Sequence, residues 1–167
     1  MTPRLDTDRL SLVPLRADDA PEMVQVLGDP NLYTFIGGGP PTLEQLALRY
    51  RAWVVGSPRA GEVWHNWVIR ERNGGEAVGH LQATIVGDGR SSDIAWVVGT
   101  AWQGRGYATE AALALVAWLE AEGVTSITAF VHPANLASAR VAEHAGLVPT
   151  DEIVDGEVAW RRAGSAY

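Results

Sequence analysis

IAWVVGTAWQGRGYATEAALAL, residues 94–115, is the stretch whose reading decides the fold. An apolar strand runs into a turn holding two glycines, and that turn opens directly into a helix. Within it, Gln103-Gly104-Arg105-Gly106-Tyr107-Ala108 has the form Q-x-x-G-x-A. Glycines let the backbone curl tightly and approach a ligand with no Cβ in the way. The N–H groups of the helix's first turn then point into the curl, at the positive end of the helix dipole. This arrangement holds phosphate.

A partner segment follows about one βαβ step later: ITAFVHPANLASARVAEHAGL, residues 127–147. It reads as a strand, a proline turn, a helix started by Asn135 with Ser138 one turn in, and a close at Ala145-Gly146-Leu147. A dinucleotide fingerprint would need a small residue at 109 and an acid at the end of the next strand. The sequence has Thr109 and His132 there. There is no G-K-[ST], which excludes a P-loop.

Together the two segments resemble the GNAT superfamily of acyl-CoA-dependent N-acetyltransferases. The run W-Q-G-R-G-Y-A-T-E-A with N-x-x-S downstream is most similar to the RimJ/RimL-type branch. The resemblance covers nearly the whole chain in element order, while its specific motifs lie in the C-terminal half. It implies acetyl-CoA as co-substrate, bound by the loop that starts at Gln103, with the pyrophosphate on the amides of Gly104, Arg105, Gly106, Tyr107 and Ala108. It also implies a pantetheine arm running between two splayed parallel strands, beside the backbone of Trp96, Val97 and Val98. Asn135 suits a helix N-cap, and the resemblance adds a contact to the CoA arm. Many relatives carry a Tyr on the last helix as acid for the departing thiolate; Ala142 stands at that position here. Ser138 is the substitute acid that the resemblance suggests, and as a helix residue it can equally bond back to the i−4 carbonyl.

The general base stays open. Asp93, Glu62, His65 and His80 are the candidates, Asp93 and His80 chief among them. Glu110 sits in the first turn of the phosphate helix, where the dipole favours an acid for structural reasons. For the acceptor, the first two helices, their loop and the last hairpin offer Tyr33, Phe35, Trp53, Trp64 and Trp160. Aromatic walls suit a cationic amine. An α-amine, with a pKa of roughly 7.7–8.0 against roughly 10.4 for lysine, suits a weak base better. The acceptor expected is therefore a small molecule or a peptide N-terminus. A non-catalytic acyl-CoA-binding or partner-binding module is the alternative, favoured only by the absent Tyr.

The rest of the chain fits one mixed α/β domain over residues 1–167. A strand is predicted over 8–16 and a helix over 18–27 with Asp18 as N-cap. An irregular loop follows over 29–41, with Gly37-Gly38-Gly39 before two prolines. A helix over 43–55 has a Thr42/Gln45 capping box. Strands over 63–70 and 77–86 flank Asn73-Gly74-Gly75. A strand over 92–99, helices over 105–122 and 135–145, and a final hairpin over 148–154 and 157–161 complete the order βααβββαβαββ.

With 167 residues, 47% hydrophobic and 20% charged, the composition is that of a globular protein able to bury a core. The absence of cysteine removes disulfides and a thiol acyl-enzyme, so direct transfer in a ternary complex is expected. Four scattered His residues imply no metal. The formal charge of −7 argues against nucleic acid or anionic membrane as partner. No secretory or membrane-spanning segment is read, so a cytoplasmic protein is expected, as monomer or homodimer.

Overall fold

The computed structural model describes residues 1–163. Its elements run β1 (Leu5–Asp6), β2 (Leu10–Pro14), α1 (Ala20–Val26), α2 (Leu43–Val55), β3 (Glu62–Glu71), β4 (Ala77–Val86), β5 (Ser91–Val98), α3 (Tyr107–Ala121), β6 (Ser126–Val131), α4 (Leu136–His144), β7 (Val148–Val154) and β8 (Glu157–Ala163). This is the expected order with one addition, the two-residue β1, which pairs Leu5 with Leu12. Two residues leave too short a pattern for alternation to be read.

The strands form one mixed sheet, ordered β1-β2-β3-β4-β5-β6-β8-β7. Every described pairing is antiparallel except β5 with β6, which run parallel because α3 carries the chain back across the sheet. Alternation along the strands feeds two cores. Leu12, Trp67, Leu81 and Ile94 face α3 and α4, which contribute Leu115, Leu119 and Ala142. Val68 and Ala77 face α1 and α2, which contribute Met23, Leu46 and Tyr50. Each such fully buried large side chain adds about 1.5–3 kcal/mol relative to exposure.

Local chemistry sets the element ends. The Thr42 hydroxyl accepts from the Gln45 N–H and the Gln45 side chain accepts from the Thr42 N–H, so α2 starts where its capping box dictates. The first helix differs from expectation. Residues Ala17–Asp19 form a 3₁₀ turn and α1 is capped at Asp19, not Asp18. The cause is the Asp19 carboxylate, which accepts the Arg16 N–H at 2.7 Å and delays the α-helix by one turn. The loop over 29–41 is less irregular than its glycines suggest, because Pro30–Tyr33 wind into a second 3₁₀ turn capped by Asp29.

Candidate active site

The parallel pair β5/β6 separates. Ser91, Ser92 and Asp93 pair with Ser126, Ile127 and Thr128, and the pairing stops there. From Ile94 onward β5 keeps its bonds to β4 on one side only. Gly99 donates its N–H to the Val78 carbonyl at 2.8 Å. Backbone direction alternates along a strand, so Trp96 and Val98 turn their N–H and C=O groups away from β4 and into the gap. One of these groups has a partner: the Gln103 side chain donates to the Val98 carbonyl at 3.0 Å. That bond ties the phosphate-type loop to the end of β5 and leaves the Val98 N–H facing the gap. On the β4 side, a Cβ on Gly79 would overlap the Val97 carbonyl oxygen, so only glycine admits this backbone path.

The loop beyond β5 begins with a 3₁₀ turn, Thr100–Trp102, and passes through Gly104 at φ 77° and Gly106 at φ 80°. Both lie in the left-handed region that favours glycine. Gly106 is the N-cap of α3, and no side chain caps it. The first helical bond is Glu110 N–H to the Gly106 carbonyl, so the N–H groups of Tyr107, Ala108 and Thr109 have no partner within the helix. They open onto the concave side of an exposed loop. The side chains of Arg105 and Tyr107 turn elsewhere. Arg105 pairs with Glu71 at 3.5 Å, and the Tyr107 hydroxyl donates to Glu71 at 2.6 Å. Any anion held here rests on backbone amides.

The N-terminal strands brace the loop. Arg9 pairs with Glu110 at 2.7 Å, donates to the Arg105 carbonyl at 2.8 Å and lies 4.8 Å from the centre of the Tyr107 ring. The Thr7 hydroxyl and the Arg9 N–H also donate to Glu110. Partial burial pushes the Glu110 carboxyl up, but these donors outweigh it and hold the group below its ordinary range. Glu110 thus fastens α3 to β2, in keeping with its first-turn position. Arg9 gave no signal in the sequence, since its partners lie about a hundred residues away.

The gap opens at its inner end into a cavity of about 430 Å³ between the sheet, the loop over 29–41 and α2. The cavity brings together Trp96, Val97, Asn135, Ser138 and His80 with Tyr33 and Phe35. Asn135 caps α4, accepting from the Ser138 N–H at 3.1 Å, and its side-chain amide donates to Ser138 Oγ at 3.2 Å. Ser138, held in this way, lines the cavity. Tyr33 is fixed by its hydroxyl, which donates to the Leu27 carbonyl at 2.8 Å. Phe35 packs on His132 with ring centres 5.2 Å apart, so the loop reaches across the cavity to the end of β6. Arg49, Trp53, Gln82, His132 and Glu157 also line it. Of these only Trp53 was suggested by the sequence, because the others come from separate elements with no local pattern.

His80 lies directly opposite Val97 across the β4/β5 pair. Its Nδ1 is buried without a hydrogen-bond partner. Burial, with Arg49 nearby, pulls the imidazole down to about 4. It is neutral at pH 7. Because the folded state binds the proton less readily than the unfolded state, stability falls as pH drops from about 6.5 to about 4. The loss from this group is about 3 kcal/mol at most. His80→Gln should flatten that part of the stability–pH profile, measured by urea denaturation between pH 4 and pH 7. An unchanged slope would mean that His80 titrates normally.

The remaining candidates lie outside the cavity. Asp93 is four residues upstream of Val97 on β5, a rise of about 13 Å. Its carboxyl is pushed up by burial against the pull of Arg161, with Glu152 and Glu62 adding to the rise. Trp64 lies in the same cross-strand row as Asp93 and donates its indole N–H to Glu62 at 2.7 Å. Together with His65 it lines a second cavity of about 420 Å³. His65 is packed against Trp67 and Trp118 and bonded to the Thr2 hydroxyl at 3.0 Å. Trp160 borders a third cavity, beside α4.

A family model, the acetyltransferase (GNAT) domain, matches residues 9–148. An acetyltransferase from Agrobacterium tumefaciens str. C58 has a similar structure, with a TM-score of 0.75 and 27% identity over 97% of this chain and 95% of that one. RimL, a ribosomal alpha-N-protein acetyltransferase in complex with coenzyme A, superimposes with a TM-score of 0.81 and 17% identity over 97% and 98% of the two chains. AAC(6')-Ib in complex with an aminoglycoside and acetyl-CoA gives 0.77 and 23% over 93% and 94%. A comparison with curated proteins gives no match. With 140 consecutive positions inside the family model, and with the gap between β5 and β6 opening beside the amide-lined start of α3, the chain belongs to the GNAT family of acetyl-CoA-dependent N-acetyltransferases.

Proposed function

We propose that this chain, a RimJ/RimL-like member of its family, passes the acetyl group of acetyl-CoA directly to the primary amine of a small molecule or a peptide N-terminus. The observation that carries this reading is the β5/β6 gap, which joins the amide-lined loop to the aromatic cavity. In it, the amides of residues 104–108 hold the pyrophosphate. The free backbone groups of Trp96 and Val98, with Val97 between them, guide the pantetheine arm as an added strand would be guided. Asn135 borders the arm. The Val98 N–H stands where it can stabilise the oxyanion that develops on the thioester carbonyl.

The acceptor enters from the side of Tyr33 and Phe35. The neutral His80 imidazole accepts a hydrogen bond from the amine through Nε2, the ring nitrogen that is not enclosed by protein, and orients the amine lone pair toward the thioester carbon. The N–C bond forms, the C–S bond breaks, and the proton lost by the amine passes to solvent. The thiolate takes its proton from the Ser138 hydroxyl, which is regenerated from water. Asp93 and Trp64 are too far along the sheet to join these steps.

Acetyl-CoA consumption measured across amine classes tests this reading. Peptides with free N-termini and small amines should be acetylated, and the rate should climb with the acceptor's own titration. No inflection should come from the enzyme between pH 6 and 7, because His80 is already neutral there. Activity confined to internal lysines would contradict the acceptor. Ser138→Ala should lower kcat by about 10–100-fold with little change in acetyl-CoA affinity. Wild-type turnover in that variant would leave Ser138 a capping partner of Asn135 only.

A further inference from the structure

Arg49 and Trp53 stand four residues apart on α2 and so project from one face of the helix, into the cavity that would receive the acceptor. The same arc of the helix buries Leu46 and Tyr50, and the Tyr50 ring stacks on Trp53 with centres 5.5 Å apart. Most arginines near the described carboxylates are paired with them: Arg9 with Glu110, Arg70 with Asp19 and Glu22, and Arg162 with Glu120. Among the described residues, Arg49 has no carboxylate within 4.0 Å. Among the described residues the acid lining the cavity is Glu157, on β8, with the ionisable side chains of His132 and Asp155 nearby. Arg49 instead acts on His80, Tyr33 and Tyr50, which places its charge over the α2 side of the chamber.

From this arrangement we infer that the acceptor carries a carboxylate as well as its amine, and that Arg49 is the residue that selects it. This rests on the acetyl-transfer reading above and narrows the acceptor to the amino-acid class. A guanidinium presents a planar fork of donors that matches a carboxylate in bidentate fashion. With that group held on α2, the amine is left to face His80 and Val97, and an apolar side chain is left to Tyr33, Phe35 and Trp53. One unpaired cation matches one negative charge. A polyamine or an aminoglycoside would bring several positive charges against Arg49 with only Glu157 to receive them. The acidic balance of the whole chain therefore does not extend to the acceptor chamber.

The test is kcat/KM for each of the twenty L-amino acids against its carboxamide, in wild type, Arg49→Met and Arg49→Lys, alongside spermidine and a short peptide. Arg49 is solvent-exposed on its helix, so Arg49→Met keeps the packing stem and loses only the charged fork. The wild type should acetylate at least one free amino acid about 100-fold better than its amide. Arg49→Met should bring that ratio close to one by slowing the acid alone, Arg49→Lys should restore part of it, and acetyl-CoA affinity should stay the same in all three. Equal rates for acids and amides, a preference that survives Arg49→Met, or a loss of acetyl-CoA affinity in Arg49→Met would each overturn the inference while leaving acetyl transfer intact. Acetyl-CoA binding without turnover of any amine would overturn the acetyl-transfer reading, and this inference with it.

Discussion

Gly106→Val is expected to weaken acetyl-CoA binding by about 100-fold or more while the protein still folds. Gly106 sits at φ 80° as the N-cap of α3, and its Cβ position lies 3.4 Å from Arg9 Nη2. A β-branched residue in the left-handed region costs roughly 1–2 kcal/mol. The loop would relieve that strain by rotating, and rotation turns the amides of Tyr107 and Ala108 off the pyrophosphate. The valine methyl groups also press on the Arg9 guanidinium that braces the loop. The rest of α3 is anchored by Leu115 and Leu119 in the core and by Glu110 on Arg9, so the thermal midpoint should fall by only a few degrees. Isothermal titration calorimetry on the folded variant checks this. Unchanged affinity would remove the loop from the CoA site.

Gly79→Ala should act on turnover instead of on CoA capture, with kcat lowered by about 100–1,000-fold, the size of effect seen when one oxyanion donor is lost. Gly79 faces Val98 across the β4/β5 pair, and its missing Cβ is what leaves room for the Val97 carbonyl. An alanine there must push the Val97–Val98 peptide aside, and the Val98 N–H moves with it. The pyrophosphate loop begins beyond Gly99 and keeps its brace in Arg9, which bonds to Glu110 and the Arg105 carbonyl and not to β5. Acetyl-CoA affinity should therefore change much less than kcat. Steady-state kinetics beside a calorimetric Kd would separate the two. A folded Gly79→Ala enzyme with normal kcat would mean that this peptide does not stabilise the transition state.

Much of this was legible in the sequence because the relevant signals are local. The Thr42/Gln45 box, the Asn73-Gly74-Gly75 hairpin and the glycine loop each specify their geometry within six residues. The gap between β5 and β6 follows from the resemblance to a known family, not from any periodicity, since a strand that stops pairing has the same alternation as one that continues. Asp19 displaced Asp18 as the helix cap because its carboxylate found the Arg16 N–H, a choice between two neighbouring acids that spacing does not decide. The chamber was the least legible part. Arg49, Gln82, His132 and Glu157 come from α2, β4, the end of β6 and β8, and nothing in the chain links them before folding. His80 was one of several histidine and carboxylate candidates. What distinguishes it is its place opposite Val97 and its unpartnered Nδ1, both properties of the folded sheet.

The most direct test of the account is a crystal structure of the protein soaked with CoA. The pyrophosphate should lie within hydrogen-bond distance of the amide nitrogens of residues 104–108. The pantetheine arm should run between β5 and β6 alongside the backbone of Trp96 and Val98, with its sulfur near Ser138 and His80. A CoA molecule bound elsewhere, with β5 and β6 still parted and empty between them, would contradict it.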